Sequence, residues 1–421
     1  MGQQLKKFLA AMLWSLIIQT ASAQSVVYTP ISPGYDFPAT SEKLLGALKT
    51  GDSHTLRLHA WTVFAGLTQP ARPADVTSEA VWETWFSGEE VFGIAPLAAN
   101  EPAAPANAER AIQRRFTTPR QFLPLGGMAA PLAVGQSNTS FTLFNKELRD
   151  HTRTNNLHRR STLEAINSAW PASAPVESRR IKDYPTQAMS LKLIWKRVNK
   201  TGLTQLPVWD EKPRMPVAPE QPEKSWERVV LIDPTRLKIP ANERKDALVN
   251  GKLLKDAVVV PLSSFYRFQL GAQQAASLGA AEGDWMVLVA MHYTTKEIPN
   301  WVWATFWWHD KPEVGQYAAD KPGTAVLKDV WRNYLMDVSY DMDSPKESDG
   351  TPNAVFNPYL EAGFANGVNS NCMTCHQRAV WTKKGAEFLP ITRGAAKPTD
   401  AHFKDATMVD FLWSLLLEGG S

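Results

Sequence analysis

Five short runs in the middle of the chain, each apolar or alternating between apolar and polar residues, place the strongest constraint on its fold. Each is bounded by Pro, Gly or Asp, and they lie at residues 191–198, 229–232, 257–262, 285–293 and 301–309. Runs of this length with such boundaries are typical of β-strands. Alternate residues of a strand point to opposite sides, so one face of the last run carries Trp301, Trp303, Thr305, Trp307 and His309. That aromatic face is either part of a sheet core or a wall against a flat cofactor, with His309 or His292 near it.

The residues before these runs carry a helical pattern from 41 to 92. Ser53 can cap a helix with apolar residues at helical spacing, and Thr77 or Ser78 can cap a second helix with Val81 and Trp82 on one side. A chain of 421 residues that is 44% hydrophobic can bury a large core. We therefore expect a helix-rich N-terminal region at 24–184, a β-rich region at 185–320 and a third region at 321–421.

Residues 1–23 have the pattern of a secretory signal peptide. Lys6 and Lys7 supply the positive start, residues 8–18 the short apolar run, and the Ala-Ser-Ala sequence at 21–23 a cleavage site. The prediction is a periplasmic protein that begins at Gln24 after cleavage. The apolar run is too short to cross a bilayer, and no other stretch approaches the roughly 20 apolar residues of a membrane helix, so no membrane span is expected.

The charge balance argues against a nucleic-acid partner. The chain has 45 Lys and Arg residues against 42 Asp and Glu, a formal charge of +3, and its basic residues cluster only in pairs. Nucleic-acid binding needs a concentrated basic surface. The sequence also lacks the G-x-S-x-G, phosphate-loop and H-E-x-x-H motifs, so hydrolase, nucleotide-binding and zinc-protease functions have no support.

Both cysteines of the chain fall in one motif, Cys372-Met373-Thr374-Cys375-His376. The pattern C-x-x-C-H is the attachment signature of c-type haem. Two cysteines three residues apart on one helical turn can form thioethers to the two vinyl groups of one haem, and the next histidine can then bind the iron. The motif predicts one covalent heme c, held by Cys372 and Cys375, with His376 as an iron ligand.

Three other interpretations of the two cysteines stay open. A zinc site needs four ligands, a thioredoxin-like pair needs a helix that follows a strand, and a disulfide would close a very small loop. The export signal favours haem, because c-type haem is attached outside the cytoplasmic membrane.

The motif and its surroundings resemble a known family. With Asn357-Pro358-Tyr359-Leu360-Glu361 before it and an apolar helical pattern at 410–415 after it, the segment resembles the C-terminal module of bacterial exported single-haem c-type cytochromes. The stretch 294–310 is similar to uncharacterised exported proteins of that type. The resemblance implies electron transfer with a redox partner protein. Together with the helix and strand patterns before it, the resemblance predicts an α+β fold, in which an N-terminal helical and β-rich region precedes a small all-α cytochrome c-like module.

The sixth iron ligand decides between function classes. Met408 is the sole methionine after the motif, and Thr407 can cap a final helix that begins at Met408. However, Met408 also starts an apolar stripe of an ordinary packed helix, which continues at Phe411, Leu412, Leu415 and Leu416. The alternatives are His402 and, through tertiary folding, Met291, His292, His309, Met336 and Met342.

An open sixth position would favour a different function. The protein would then be a haem-dependent oxidoreductase of the peroxidase or oxygenase kind, or a haem-based gas or redox sensor. Arg378 and Trp381 are candidate neighbours for a haem propionate and for the ring face.

Overall fold

A computed structural model of the chain describes the following residues: 25–72, 79–93, 110–112, 114, 116, 138–171, 173–211, 226, 228–236, 238–240, 243–249, 252–343, 346, 350, 352–361, 370–382, 385–386 and 394–417. The expected signal peptide at 1–23, and the proposed caps Thr77 and Ser78, lie outside these residues.

The strands are short and form mostly antiparallel pairs. In chain order they are β1 (Ser25–Val26), β2 (Phe86–Ser87), β3 (Arg110–Ala111), β4 (Asn138–Phe144), β5 (Met189–Val198), β6 (Thr204–Val208), β7 (Arg228–Asp233), β8 (Arg244–Val249), β9 (Lys252–Pro261), β10 (Arg267–Gln269), β11 (Trp285–Thr295), β12 (Val302–Trp308), β13 (Tyr334–Ser339), β14 (Val380–Thr382), β15 (Gly385–Ala386) and β16 (Thr407–Met408).

The α-helices are also short. They are α1 (Ser41–Thr50), α2 (Ser53–Leu67), α3 (Gly88–Phe92), α4 (Lys146–Thr154), α5 (Arg160–Ala169), α6 (Ala272–Leu278), α7 (Cys372–His376) and α8 (Ser414–Leu417). In the part of the chain that the structure describes, no helix is long and apolar enough to cross a membrane.

A seven-stranded sheet forms the centre of the molecule. Its order is β13-β12-β11-β5-β4-β2, and β10 also pairs with β11. Every pair in this sheet is antiparallel. The sheet takes strands from all three of the regions expected from the sequence, which ties the C-terminal part of the chain to the N-terminal part.

The five strand predictions are confirmed. The runs at 191–198, 285–293 and 301–309 form β5, β11 and β12 of the central sheet. The runs at 229–232 and 257–262 lie in β7 and β9 of a four-stranded sheet, where these two strands are parallel. The last run is mostly apolar because β12 is buried on both faces at all its positions.

Helix α2 covers one face of the central sheet. The Phe64 ring of α2 stacks on Phe306 of β12 with ring centroids 4.0 Å apart, and the Trp61 ring meets the same residue at 5.3 Å. The helix prediction at this point is confirmed, although Asp52 and not Ser53 is the cap. The second predicted N-terminal helix is wrong, since Val81–Thr84 form only a short 3-10 turn.

The expectation of an α+β chain that ends in a small all-α module is wrong. The protein is β-rich with large antiparallel sheets. Among the described residues from 321 onward, the α-helices are only α7 and α8. Strand β13 of the same region belongs to the central sheet, and β14, β15 and β16 form a sheet of their own.

The predicted final helix is replaced by a strand and a turn. Thr407 and Met408 form β16 and pair with β14, and the next residues with irregular backbone are Asp410 and Phe411, whose φ angles are +50° and +67°. Two successive residues in the left-handed region do not continue a right-handed helix. The apolar spacing that suggested a helix instead divides its side chains between two separate clusters.

Candidate functional site

Helix α7 is a single turn whose start is fixed by Asn371. The Asn371 Oδ1 atom accepts a hydrogen bond from the Met373 amide at 2.9 Å, and its Nδ2 atom donates to the carbonyl of Asp341 at 3.1 Å. The Cys372 amide donates to the Val355 carbonyl at 3.2 Å. These contacts hold Cys372, Cys375 and His376 on one turn of helix, as the motif predicts.

The two cysteines are free thiols on this turn. Burial, with the nearby Glu361 carboxyl, raises the pKa of Cys375 to about 12 and raises the pKa of Cys372 well above its usual range. A thioredoxin-like pair needs the opposite shift, because the thiolate is the reactive form. The environment therefore disfavours the interpretation as a redox-active pair.

The imidazole of His376 is oriented by a backbone carbonyl. Its Nδ1 atom lies 2.8 Å from the carbonyl oxygen of Phe411. Because a carbonyl can only accept, Nδ1 carries the proton and Nε2 keeps its lone pair. Burial lowers the pKa of His376 to about 4, so the ring is neutral near pH 7. No described residue gives Nε2 a hydrogen-bond partner, and this nitrogen is available to a metal.

The turn that presents the Phe411 carbonyl is held by a buried ion pair. Lys296 Nζ donates to Asp410 Oδ1 at 2.6 Å, and the Tyr184 amide donates to Asp410 Oδ2 at 3.2 Å. The Lys296 and Asp410 side chains are 5% and 0% exposed. The left-handed backbone of Asp410 and Phe411 is strained, and it persists where surrounding contacts over-determine it.

Trp303 of β12 packs against the imidazole. The ring centroids of Trp303 and His376 are 4.1 Å apart with an angle of 41° between the planes. Since alternate residues of β12 point to opposite sides, Trp303 and Thr305 lie on the face away from Phe306 and α2. One residue of the predicted aromatic wall thus contacts the C-x-x-C-H motif. Another, Trp307, packs against Trp209.

A row of polar side chains crosses this sheet face beside Trp303. The register places them opposite one another on neighbouring strands, in the order Asp337, Thr305, His292, Lys192 and Thr142. Beyond the effect of burial, the Lys192 charge further lowers the pKa of His376 and the Asp337 charge further raises the pKa of Cys372. The row therefore lies within electrostatic range of α7.

Glu361 adds a buried carboxyl to the row. Its Oε1 atom lies 3.5 Å from His292 Nε2, and its Oε2 atom accepts from the Asn357 amide at 2.6 Å. Asn357 Nδ2 in turn donates to Thr305 Oγ1 at 2.8 Å. Burial raises the pKa of Glu361 to about 7, and burial with the Lys192 and His376 charges lowers the pKa of His292 to about 3.

Sequence reasoning did not assign Glu361 to the site. It stands eleven residues before Cys372, in a segment that was noted only for its resemblance. Its spacing from Asn357 is the sequence feature that could have identified Glu361, because residues four apart on one turn can interact.

The remaining predicted site residues pack against other parts of the chain. Met408 lies on β16 and packs against the cluster of Val380, Ala396, Phe403 and Ala406, whereas Cys372 packs against a different cluster that includes Met342. His402 lies in the turn Ala401–Phe403, with its ring against Phe403.

Two further predicted neighbours lie close to α7. The Arg378 guanidinium donates back to the carbonyl of Thr374 within α7. The Trp381 ring lies beneath Arg160 at 5.2 Å. These contacts do not assign either residue a role toward a cofactor.

The donor set fits a covalently attached haem. Two thiols and an imidazole with a free Nε2 share one helical turn, next to the flat ring of Trp303. Within the described ranges, no group of three or more His, Cys, Asp or Glu side chains is arranged to hold a metal ion without a cofactor.

The chain matches no protein-family model, no curated protein and no solved structure.

Proposed function

We propose that this protein is an exported c-type cytochrome that carries one covalent heme c and transfers electrons to a redox partner protein. The observation that carries the proposal is the hydrogen bond from His376 Nδ1 to the Phe411 carbonyl, which leaves Nε2 free beside two thiols on the same turn. Metal-binding histidines commonly have their second nitrogen fixed in this way.

Three residues of α7 have a role in this proposal. Cys372 and Cys375 would hold the haem through thioether bonds, and His376 would bind the iron through Nε2. When bound, the haem supplies a one-electron couple between two oxidation states of iron. The Phe411 carbonyl holds the imidazole and makes it a better donor, while Trp303 restricts its rotation.

The protein surroundings would tune the potential. Asp410 is fully buried and the imidazole of His376 is half-buried, so both groups lie in surroundings less polar than water. A low local dielectric makes nearby charges more effective. Lys192 and Asp337 carry opposite charges that act on His376 and on Cys372, and we expect these residues to shift the potential.

Export to the periplasm belongs to the same proposal. The signal pattern at 1–23 supports it, because the haem is attached to such motifs outside the cytoplasmic membrane. We expect the mature chain to begin at Gln24.

A haem-dependent oxidoreductase with an open sixth position is the second candidate. The buried pair of Glu361 and His292 favours it, since a carboxyl with a pKa of about 7 can give or take a proton near neutral pH. A gas or redox sensor would need the same open position.

The proposal is tested by expressing the full chain with the c-haem attachment machinery. Mass spectrometry of the digested protein should find haem on the peptide that contains 372–376. The double variant Cys372→Ser, Cys375→Ser should carry none. Met373→Leu is the matched control, because it lies between the cysteines, is fully buried and keeps its volume. A wild-type peptide free of haem under these conditions would refute the proposal.

A further inference from the structure

We propose that His292 is the second axial ligand of the haem iron, so that the iron has two histidine ligands. The inference rests on the proposed function and names the coordination of the same site. It assigns the ligand to the central sheet, eighty residues before Cys372.

The strand register places His292 on the face that α7 covers. His292 pairs with Thr305, and two residues later Thr294 pairs with Trp303, which contacts His376. Cross-strand partners and residues two apart on a strand share a face. The His292 side chain therefore projects from the sheet on the same side as the Trp303 ring.

A second series of contacts also connects His292 with the segment that holds the motif. Thr305, the partner of His292, accepts a hydrogen bond from Asn357, and the Asn357 amide donates to Glu361. Glu361 Oε1 is 3.5 Å from His292 Nε2. Val355, two residues before Asn357, accepts hydrogen bonds from the Cys372 amide and from the Cys372 thiol, each at 3.2 Å. The segment that bonds Cys372 therefore also carries the contacts to Thr305 and His292.

The Nε2 atom of His292 is a buried nitrogen that lacks a hydrogen-bond partner in the described part of the chain. The Glu361 oxygen is too far away, at 3.5 Å, for a good hydrogen bond. A buried polar atom without a partner costs free energy, and such atoms in a folded protein point to a missing partner. An iron atom would satisfy this nitrogen.

The strand faces exclude two of the competing ligands, and a third has other partners. Met291 and Met336 are cross-strand partners of Phe306, which stacks on α2, so their side chains lie on the opposite face of the sheet. His309 Nδ1 accepts from the Lys311 amide, and its Nε2 atom lies 3.4 Å from Asp210.

Met342 is a further competitor near the motif. It belongs to the same apolar cluster as Cys372 and is 9% exposed. A thioether in an apolar cluster already has the surroundings that suit it, whereas the His292 nitrogen does not. This difference favours His292.

The test uses the full-length protein with its haem attached. Absorption and electron paramagnetic resonance spectra should show low-spin iron in the wild type, without a far-red sulfur-to-iron band, and the reduced protein should not bind carbon monoxide. His292→Ala should become high-spin and bind carbon monoxide, and added imidazole should restore the low-spin spectrum. His292→Met should gain the far-red band and a higher midpoint potential.

A control variant separates the alternatives. Met342→Leu should keep the low-spin wild-type spectrum. A wild-type far-red band that disappears in Met342→Leu, or a low-spin His292→Ala protein without added imidazole, would overturn the assignment while the cytochrome proposal stands. If His292→Ala fails to fold, a His292→Met protein whose spectrum equals that of the wild type overturns it equally. A chain without covalent haem would instead overturn the proposed function.

Discussion

His376 Nδ1 and the carbonyl oxygen of Phe411 are 2.8 Å apart, and the residue that accepts this hydrogen bond has a left-handed backbone with φ of +67°. The preceding residue, Asp410, is also left-handed, with φ of +50°, and is bound to buried Lys296. The orientation of the proposed iron ligand therefore depends on an ion pair that does not touch it.

Removing the ion pair should lower the stability of the protein and shift the midpoint potential of the haem. Asp410→Ala leaves the Lys296 ammonium buried without its partner, and breaking such a pair costs about 3–5 kcal/mol. We expect a lower free energy of unfolding in urea and a shifted midpoint potential, because the Phe411 carbonyl would lose its fixed position.

Asp183→Asn is the control for this effect. Asp183 lies 3.8 Å from the same ammonium but is 56% exposed, so its removal should change stability by less than about 1 kcal/mol. Equal losses in the two variants would contradict the role given to Asp410.

The packing of the Trp303 ring on His376 should stabilise the folded protein. Trp303→Ala creates a cavity beside the imidazole and should lower the free energy of unfolding by about 3–5 kcal/mol. Trp303→Phe keeps a ring in place and should retain most of that stability. Thermal denaturation of the two variants measures which is the more stable. A Trp303→Phe variant as unstable as Trp303→Ala would argue against ring packing.

Removing the N-terminal cap of α7 should have a smaller effect on stability. Asn371→Ala loses the bond to the Met373 amide and the bond to the Asp341 carbonyl, so it should cost about 0.5–2 kcal/mol. Asn371→Asp keeps the oxygen that accepts from the amide and should recover part of the loss. Urea unfolding curves measure both values. Asp and Ala variants of identical stability would show that the cap contributes nothing.

The Glu361 carboxyl should make stability fall as pH rises. Burial raises its pKa from 4.5 to about 7, so between these values the folded protein binds a proton that the unfolded chain has released. The stability that comes from the proton on Glu361 is present below pH 4.5 and is lost as pH rises through 7. The free energy of unfolding changes by about 3 kcal/mol over this range.

A comparison with Glu361→Gln isolates this effect. His292 and His376 have lowered pKa values and give the opposite slope at lower pH, but they are present in both proteins. The difference in unfolding free energy between wild type and variant should therefore fall from pH 4.5 to pH 8. A difference that does not change with pH would contradict the buried, neutral carboxyl.

Local patterns predicted the strands because each one needs only its own apolar residues and boundaries. The strand β12 and the position of the cysteines on one turn followed from the sequence in this way. The helix expected from Met408 did not form, since pairing of β16 with β14 outweighs a helical spacing that carries no information about partners.

The proximity of His292 to His376 could not be derived from the sequence. It depends on the register between β11 and β12, and on the packing of α7 against Trp303. Glu361 was missed for the same reason, because its neighbour His292 is 69 residues away along the chain and meets it only through the central sheet.

The central claim is that this chain holds haem covalently through Cys372 and Cys375. The most direct test is a pyridine haemochrome spectrum of the matured protein after extraction with acidified acetone. We predict one haem per chain that stays with the protein, with the spectrum of a haem whose two vinyl groups are both saturated. Haem that passes entirely into the solvent, or a protein that contains none, would contradict the account.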